Sequence, residues 1–211
     1  MTGLTKKNRV CLFEAYLDEL FENPKCELYY EKDYQLLIAV VLSAQTTDKR
    51  VNQVTRILWK KYPSLDSLSQ ASIDEIASIL VPIGTYQKKA VFVSKIAKVL
   101  LTNFGGKVPN DPMLLQALPG VGRKTSNVVL SNLFDYPAIA VDTHVERVSK
   151  RLRFVLLKDD VLTIEKKLEK LYDRSVWAKR HHQMVLFGRY HCKAIKPDCE
   201  HCKIRNICSF K

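Results

Sequence analysis

Three separate stretches of this 211-residue chain carry side chains whose type and spacing suit chemistry. Lys124 stands two residues after Gly122, the second glycine of a Gly-x-Gly turn. Asp142 lies in a Val-Asp-Thr-His segment. Near the end of the chain are four cysteines with the spacing C-x6-C-x2-C-x5-C: Cys192, Cys199, Cys202 and Cys208. The chain therefore offers an amine, a carboxylate and a set of soft metal ligands.

Lys124 is a candidate nucleophile. A neutral lysine amine can attack an electrophilic carbon and form a Schiff base. We expect a helix to begin near Arg123, which puts Lys124 in a first turn, where the positive end of the helix dipole disfavours an ammonium. Partial burial would act in the same direction. The alternative is an ordinary surface lysine, because the chain has 34 Lys and Arg residues.

Asp142 has two compatible interpretations. An aspartate that opens a helix commonly serves only as the N-cap, and the apolar spacing after Asp142 predicts such a helix. A carboxylate has two oxygens, so the same side chain could also relay protons and stabilise positive charge that develops during a reaction. We expect His144 to be structural.

The four cysteines could enclose one metal centre, because thiolates are soft ligands. Tetrahedral zinc and a [4Fe–4S] cluster both fit this ligand set, and the spacing leaves the choice open. Disulfides are the third possibility. The basic N-terminus lacks a following apolar segment, so we expect no signal peptide and a cytoplasmic, reducing environment, which disfavours disulfides. The longest apolar run, Leu36–Leu42, is far shorter than the ~20 residues that span a bilayer, so no membrane partner is expected.

The charge indicates the class of partner. The formal net charge is +12, with 34 basic and 22 acidic residues. A polyanion is the simplest partner for such a surface, and nucleic acid is the leading candidate. A solvated cationic surface without a polyanionic partner is the alternative.

The periodicity of apolar residues predicts an all-α fold. Only seven Gly and eight Pro interrupt the chain, and we find no segment with clear period-two alternation. Cap signals support the helices: Ser72 with Glu75 fits a capping box, and Asp111 precedes Pro112 at a helix start. The predicted helices include Tyr34–Ala44, Tyr86–Phe104, Arg123–Phe134, Val161–Tyr172 and Trp177–Tyr190.

The turn Leu118–Gly122 separates two of these helical stretches. Its two glycines permit a tight turn and a close approach of another molecule to the backbone. The free N–H groups of the next helix favour an anion such as a DNA phosphate, without reading a base. By itself, the Gly-x-Gly pattern more often marks an ordinary helix–helix connection.

The turn, the Val-Asp-Thr-His segment and the cysteine tail together resemble endonuclease III, a family of helix-hairpin-helix DNA glycosylases with abasic-site lyase activity. The resemblance covers essentially the whole chain. It implies a two-lobed all-α fold, with a helical domain at 25–136 that includes the helix-hairpin-helix at about 112–134. The second domain would comprise 1–24 plus 137–211 and hold a [4Fe–4S] cluster on the four cysteines. DNA would lie across the cleft, with Lys124 and Asp142 facing it.

The same resemblance assigns DNA contacts. Gln45 would insert opposite the flipped base, and Ile83 with Thr85 would form a wedge. The hairpin and the loop between the first two cysteines would contact phosphates through Gly120, Gly122, Arg123, Lys193 and Lys196. Bacterial relatives commonly have Leu where this chain has Thr85, so Ile83 would carry more of the apolar wedge, and Gln116 stands where relatives can have Glu. The alternative is that the loops at Gln45 and Thr85 are only inter-helix turns.

The implied function is base-excision repair of double-stranded DNA that contains damaged bases or abasic sites. Lys124 would displace an oxidised pyrimidine, and β-elimination would then cut the strand 3′ to the abasic site. We expect a monomer. An adenine-mismatch glycosylase of the same superfamily would lack the hairpin lysine and have an acid in the segment before Gln45, where Leu36–Ala44 has none. A non-catalytic iron–sulfur DNA-binding protein is the other alternative.

Overall fold

The computed structural model describes residues 4–210, and every regular element in this range is helical. The predicted all-α fold is confirmed. The chain forms two compact units, one made of residues 26–134 and the other of the described parts of 1–25 and 135–211. No helix in the described range is long and apolar enough to cross a membrane.

The unit at 26–134 contains seven α-helices around one apolar core. Helix α2 is its most buried element, because every residue from Tyr34 to Leu42 is buried. The apolar run Leu36–Leu42 leaves this helix no face for solvent, so neighbouring helices cover all sides of it. The helices are α2 (Asp33–Leu42), α3 (Asp48–Lys61), α4 (Leu65–Gln70), α5 (Ile73–Leu80), α6 (Tyr86–Phe104), α7 (Pro112–Gln116) and α8 (Arg123–Phe134).

The predicted caps of this unit are present. The Ser72 hydroxyl accepts from the Glu75 N–H at 3.2 Å, and the Glu75 carboxylate accepts from the Ser72 N–H at 3.1 Å. Asp111 Oδ1 accepts from the N–H groups of Met113 and Leu114 at 2.8 and 2.9 Å. These bonds satisfy donors that have no partner inside the helix, so they fix where α5 and α7 begin.

The other unit has its own apolar core. Phe13, Phe154 and Phe187 are fully buried at its centre, with ring centroids 5.6 Å apart for Phe13–Phe154 and 5.4 Å apart for Phe13–Phe187. The α-helices of this unit are α1 (Lys6–Leu20), α9 (Thr143–Arg151), α10 (Val161–Leu171) and α11 (Trp177–Leu186). Two 3₁₀ turns, Arg174–Val176 and Arg205–Ile207, complete it together with a π-helical turn.

The predicted helix Trp177–Tyr190 differs from the structure in its last turn, where α11 gives way to a π-helical turn at Phe187–His191. Here the Cys192 N–H bonds to the Phe187 carbonyl at 2.7 Å, and Gly188 packs tightly against α9. A Cβ at Gly188 would lie 2.7 Å from His144 Cβ. The helix therefore widens at the point where it packs so closely against α9 that only a glycine fits. The spacing of apolar residues in the sequence does not reveal such a contact.

A buried ionic network joins α1 to α11. Arg180 is 7% exposed, and its guanidinium donates to Asp18 Oδ1 and Oδ2 at 2.7 and 3.0 Å and to Glu14 at 3.1 Å. The hydrogen bond from Arg180 is the main reason that the pKa of Asp18 lies well below its usual range. A depressed carboxyl pKa stabilises the fold above the unfolded-state pKa, and this stabilisation is lost as pH falls toward the folded-state value.

We therefore expect Asp18→Asn to lower the free energy of unfolding by ~1–2 kcal/mol at pH 7. The expected loss is smaller than for a fully buried ion pair, because 40% of the Asp18 side chain is exposed. The difference from wild type should shrink below about pH 4, where the unfolded carboxyl is protonated. Urea unfolding at several pH values measures it. Glu22→Gln, an exposed carboxylate in the same unit, is the control, and an equal, pH-independent loss in both variants would contradict the prediction.

Candidate functional site

The hairpin turn between α7 and α8 depends on Gly120. The Val121 N–H bonds to the Leu118 carbonyl at 3.1 Å, and Gly120 has φ +77°, the sign that a type II turn requires at its third position. A Cβ on Gly120 would also lie 2.5 Å from the ring of Phe92 on α6. Leu118 and Val121 are buried. The turn is therefore fixed by two core side chains, while its glycine rests against α6.

Gly122, the second glycine of the hairpin, lies at the start of α8. A Cβ there would meet nothing within 4 Å, and the residue is exposed. Its carbonyl accepts the Ser126 N–H at 2.9 Å, so the helical bonding of α8 starts at Gly122. The N–H groups that precede Ser126 have no acceptor inside the helix, and a helix start of this kind suits an anion.

Lys124 is the second residue of α8, and its side chain is exposed. Arg123 beside it is also exposed. The partial burial that we expected for Lys124 is thus not provided by its own chain. Its position in a first turn agrees with the sequence prediction, so the amine is accessible and sits at the positive end of the helix dipole.

Asp142 is the N-cap of α9. Oδ1 alone accepts both capping bonds, from the His144 N–H at 2.9 Å and the Val145 N–H at 2.8 Å. Oδ2 accepts no hydrogen bond from any residue in the described range. The side chain is half-buried, so one oxygen of the carboxylate holds the helix while the other stays available. Asp142 belongs to the unit at 1–25 and 135–211, and Lys124 to the other.

Arg147 connects the start of α9 to the first cysteine. Its guanidinium donates to the carbonyls of Gly188 at 2.7 Å, Cys192 at 3.1 Å and Thr143 at 3.2 Å. The same group lies 3.2 Å from His144 Nδ1. These contacts give His144 the structural role that we expected, and they orient the helix that Asp142 caps.

The four cysteines line one small cavity of about 30 Å³. No disulfide joins them. Burial raises the pKa of the Cys202 and Cys208 thiols, so a bound cation would be needed to hold them as thiolates. Arg151 donates to Cys192 Sγ at 3.2 Å. Among residues 4–210, no three His, Cys, Asp or Glu side chains lie close enough together to hold a single metal ion.

The loop between the first two cysteines exposes its cations. Lys193 and Lys196 are both exposed, and Lys196 has φ +49°. Arg151 anchors the loop by donating to the Lys193 carbonyl at 2.7 Å. Two further basic residues bind within their own unit instead, since Lys203 pairs with Glu19 and Arg205 donates to the Cys199 carbonyl at 3.2 Å.

The loop after α2 presents Gln45. Gln45 is exposed and has φ +56°, the left-handed region that a residue with a side chain rarely adopts. The Thr46 N–H bonds to the Ser43 carbonyl at 3.0 Å, which closes a turn around Gln45. The loop is thus a tight turn between α2 and α3 with one protruding amide side chain.

The loop between α5 and α6 exposes one of its two predicted DNA-contact residues, Thr85, and buries the other, Ile83. Thr85 is exposed, with φ +55°. Ile83 is 2% exposed and belongs to the core of its unit, so it does not project as the wedge that we expected. Ile83 is needed for packing, whereas Val81, Pro82, Gly84 and Thr85 of the same loop are exposed. Gln116 bonds to the Pro112 carbonyl at 2.9 Å within α7.

Sequence patterns did not point to Lys89, Arg147 or Arg151, whose side chains bond to the loops that carry Gln45, Cys192 and Lys193. Lys89 is 3% exposed and donates to the loop that carries Gln45. A signal was available, because Lys89 falls on the apolar face of α6, four residues before Val93. A lysine on a buried helix face needs a partner.

Comparison with known proteins shows the family. A family model described as HhH-GPD superfamily base excision DNA repair protein matches residues 38–174. The endonuclease III of Bacillus subtilis is 44% identical over 192 residues, which cover 91% of this chain and 88% of that protein. This chain belongs to the endonuclease III family.

Other members of the endonuclease III family agree with this. The Escherichia coli K12 protein is 41% identical over 198 residues, covering 92% of this chain and 93% of its own length. A solved structure described as a trapped endonuclease III–DNA covalent intermediate superposes with a TM-score of 0.93, at 44% identity, covering 98% of this chain and 97% of that one. A thermostable thymine-DNA glycosylase shares the fold, with a TM-score of 0.83 at 23% identity.

Proposed function

We propose that Lys124 is the nucleophile with which this enzyme, a base-excision repair DNA glycosylase, releases oxidised pyrimidines from duplex DNA and then cleaves the abasic site. The protein binds double-stranded DNA and acts as a monomer, in the cytoplasm. The observation that carries the proposal is the placement of Lys124. It is an exposed amine in the first turn of α8, beside a glycine turn open to a phosphate, in a chain 44% identical to a protein described as trapped covalently on DNA.

The reaction begins at Lys124 Nζ. The neutral amine bonds to C1′ of the damaged nucleotide, while the C1′–base bond breaks and the base leaves with its electron pair and takes up a proton. The attached nitrogen then gives up a proton, and its electron pair forms a C=N bond to C1′ as the C1′–O4′ bond breaks and O4′ takes up a proton, which opens the sugar ring and gives a protonated Schiff base. Removal of a proton from C2′ then expels the 3′ phosphate by β-elimination, which cuts the strand on the 3′ side.

Asp142 assists this reaction through its second oxygen. Oδ1 is occupied by the two capping bonds, so Oδ2 is the atom that could receive and return protons. The carboxylate would also stabilise the positive charge that develops on the sugar. Its attachment to a helix start keeps it oriented, because both capping N–H groups are fixed by α9.

The proposed DNA contacts are made by exposed backbone groups and exposed cationic side chains of the protein. The hairpin residues Gly120, Gly122 and Arg123 would bind phosphate, and Lys193 with Lys196 would bind a second stretch of backbone. Gln45 would occupy the space that the flipped nucleotide leaves, with Thr85 beside it as a polar rather than apolar contact.

A [4Fe–4S] cluster is the centre that we propose for the four cysteines. Support comes from their convergence on one cavity and from the family resemblance. Cys192, Cys199, Cys202 and Cys208 would hold it, and the cluster would supply cross-links for a tail with little regular structure. The exposed loop of Lys193 and Lys196 begins at Cys192, so the cluster would hold these cations in place.

We expect purified protein to show broad absorbance near ~400 nm and to contain iron and sulfide rather than zinc. Cys199→Ser should remove the absorbance and lower the melting temperature, because the tail loses its cross-link. Cys26→Ser, outside the tail, is the matched control and should retain the colour. A colourless, zinc-loaded wild-type protein would contradict the cluster assignment.

The activity is tested by borohydride reduction of wild-type protein mixed with duplexes that contain an abasic site or an oxidised pyrimidine. The proposal predicts a covalent protein–DNA adduct with both substrates and strand cleavage without borohydride. Binding with neither adduct nor cleavage would indicate a non-catalytic DNA-binding protein. Release of adenine from a mismatch without strand cleavage would indicate the adenine-mismatch class.

A further inference from the structure

Lys89 carries a charged head group into the interior of the 26–134 unit. The residue is 3% exposed, and burial lowers the pKa of its ammonium. Nζ donates to the Ala44 carbonyl at 2.7 Å and to Thr46 Oγ1 at 3.0 Å. No carboxylate in the described part of the chain pairs with it. A buried lysine without an ionic partner is rare because desolvation is costly, so these two acceptors account for its placement.

The two acceptors of Lys89 flank Gln45 on both sides. Gln45 itself is exposed and has φ +56°, a backbone conformation that costs free energy for a residue with a Cβ. Such a conformation persists only where neighbouring contacts hold it. The lysine head group ties the residue before Gln45 to the residue after it, so it holds the turn closed around the protruding side chain.

Lys89 also contacts the second exposed loop. Its backbone N–H donates to the Thr85 carbonyl at 3.0 Å, and Thr85 has φ +55°. Arg50 on α3 adds a second link, because its guanidinium donates to the Pro82 carbonyl at 3.1 Å. The Lys89 side chain thus holds the residues on either side of Gln45, whereas its backbone bond to Thr85 is the first helical hydrogen bond of α6 and does not depend on the side chain.

We propose that Lys89 is a positioning residue that keeps the Gln45 loop in the arrangement needed to fill the duplex when the damaged nucleotide leaves it. This inference rests on the proposed function, which gives the Gln45 loop its contact with DNA. Lys89 would act through the Gln45 loop rather than on the reacting atoms. Its effect should appear only where a paired base must be taken out of a helix, and should vanish on a substrate without a complementary strand.

The experiment compares Lys89→Met with Lys95→Met. Both changes remove one charge from α6, but Lys95 is exposed. Single-turnover cleavage is measured on an oxidised-pyrimidine duplex and on a single-stranded oligonucleotide with an abasic site. We expect Lys89→Met to slow cleavage of the duplex about tenfold or more, because two hydrogen bonds of a charged donor are lost. Its rate on the single strand should stay within about twofold of wild type, as should both rates of Lys95→Met.

A second readout follows the opposite strand directly. With 2-aminopurine opposite the lesion, wild-type binding should raise the fluorescence as the stack opens, and Lys89→Met should reduce that rise. Thr46→Val removes one acceptor from the loop side and should reproduce part of the loss. Thr46→Val also tests the positioning role if Lys89→Met does not fold.

Equal losses on duplex and single strand, or no loss on either, would overturn the positioning role. A preserved fluorescence rise in Lys89→Met and Thr46→Val would also overturn it. Failure of the proposed function looks different, since wild-type protein would then form no borohydride adduct on either substrate.

Discussion

Lys124→Gln is expected to abolish the borohydride adduct and to lower strand cleavage at an abasic site by about 10³-fold or more. Glutamine has no nucleophilic amine, so neither the displacement at C1′ nor the Schiff base can form. The side chain is exposed, and its replacement leaves no cavity, so the melting temperature should stay within a degree or two of wild type. Gel separation of the reduced adduct, together with a single-turnover cleavage rate, measures the effect.

Lys124→Arg separates nucleophilicity from charge at the same position. Arginine stays protonated, so it retains the cation beside the hairpin without providing a neutral amine. We expect duplex affinity close to wild type and no adduct. Lys98→Gln, an exposed position on α6, is the matched control and should keep both adduct and cleavage. An adduct with Lys124→Gln would mean that another amine is the nucleophile.

Asp142→Asn is expected to reduce cleavage by about 10²–10⁴-fold while the protein stays folded. Asparagine is as good an N-cap as aspartate, so its Oδ1 can still accept from the His144 and Val145 N–H groups. The change removes the negative charge and the proton-accepting oxygen. Single-turnover rates, compared with thermal unfolding of the same sample, separate chemistry from stability.

Asp111→Asn is a closely matched control for Asp142→Asn. Asp111 caps α7 in the same way, with Oδ1 accepting from two N–H groups at 2.8 and 2.9 Å. We expect this substitution to leave the cleavage rate unchanged. Asp142→Ala should add a loss of about 1 kcal/mol in stability to the loss of activity, because it also removes the cap. Equal cleavage by Asp142→Asn and wild type would limit Asp142 to capping.

Much of the fold could be predicted from local patterns. The α6 and α8 boundaries agree with the prediction, because strong signals end or start these helices, such as Gly105 at the end of α6 with φ +57°. The predicted helical stretch Trp177–Tyr190 is present, but its last turn is π-helical, because the turn at Phe187–His191 depends on the contact of Gly188 with α9. That contact joins residues 44 positions apart, and helical periodicity carries no information about it.

The candidate site residues also differ in how far the sequence predicted them. Lys124, Asp142 and the cysteines were singled out by their residue types together with the resemblance to the endonuclease III family, and their roles stay predictions. Ile83 was assigned to a DNA wedge but lies in the core, because burial is decided by the helices that pack around a loop. The contacts that hold the Gln45 loop were not predicted for a related reason, because Lys89, which bonds to Ala44 and Thr46, lies on another helix.

The sequence by itself determined that the chain is all-helical and basic, and that it carries an amine after a glycine hairpin, a capping aspartate and four clustered cysteines. These properties follow from composition and from spacings within about twenty residues. Only the tertiary structure decided that Lys124 is exposed, that Asp142 caps with one oxygen, and that a buried lysine holds the Gln45 turn. Each of these three features depends on contacts between residues that are far apart in the sequence. Those contacts are set by the packing of the whole hydrophobic core.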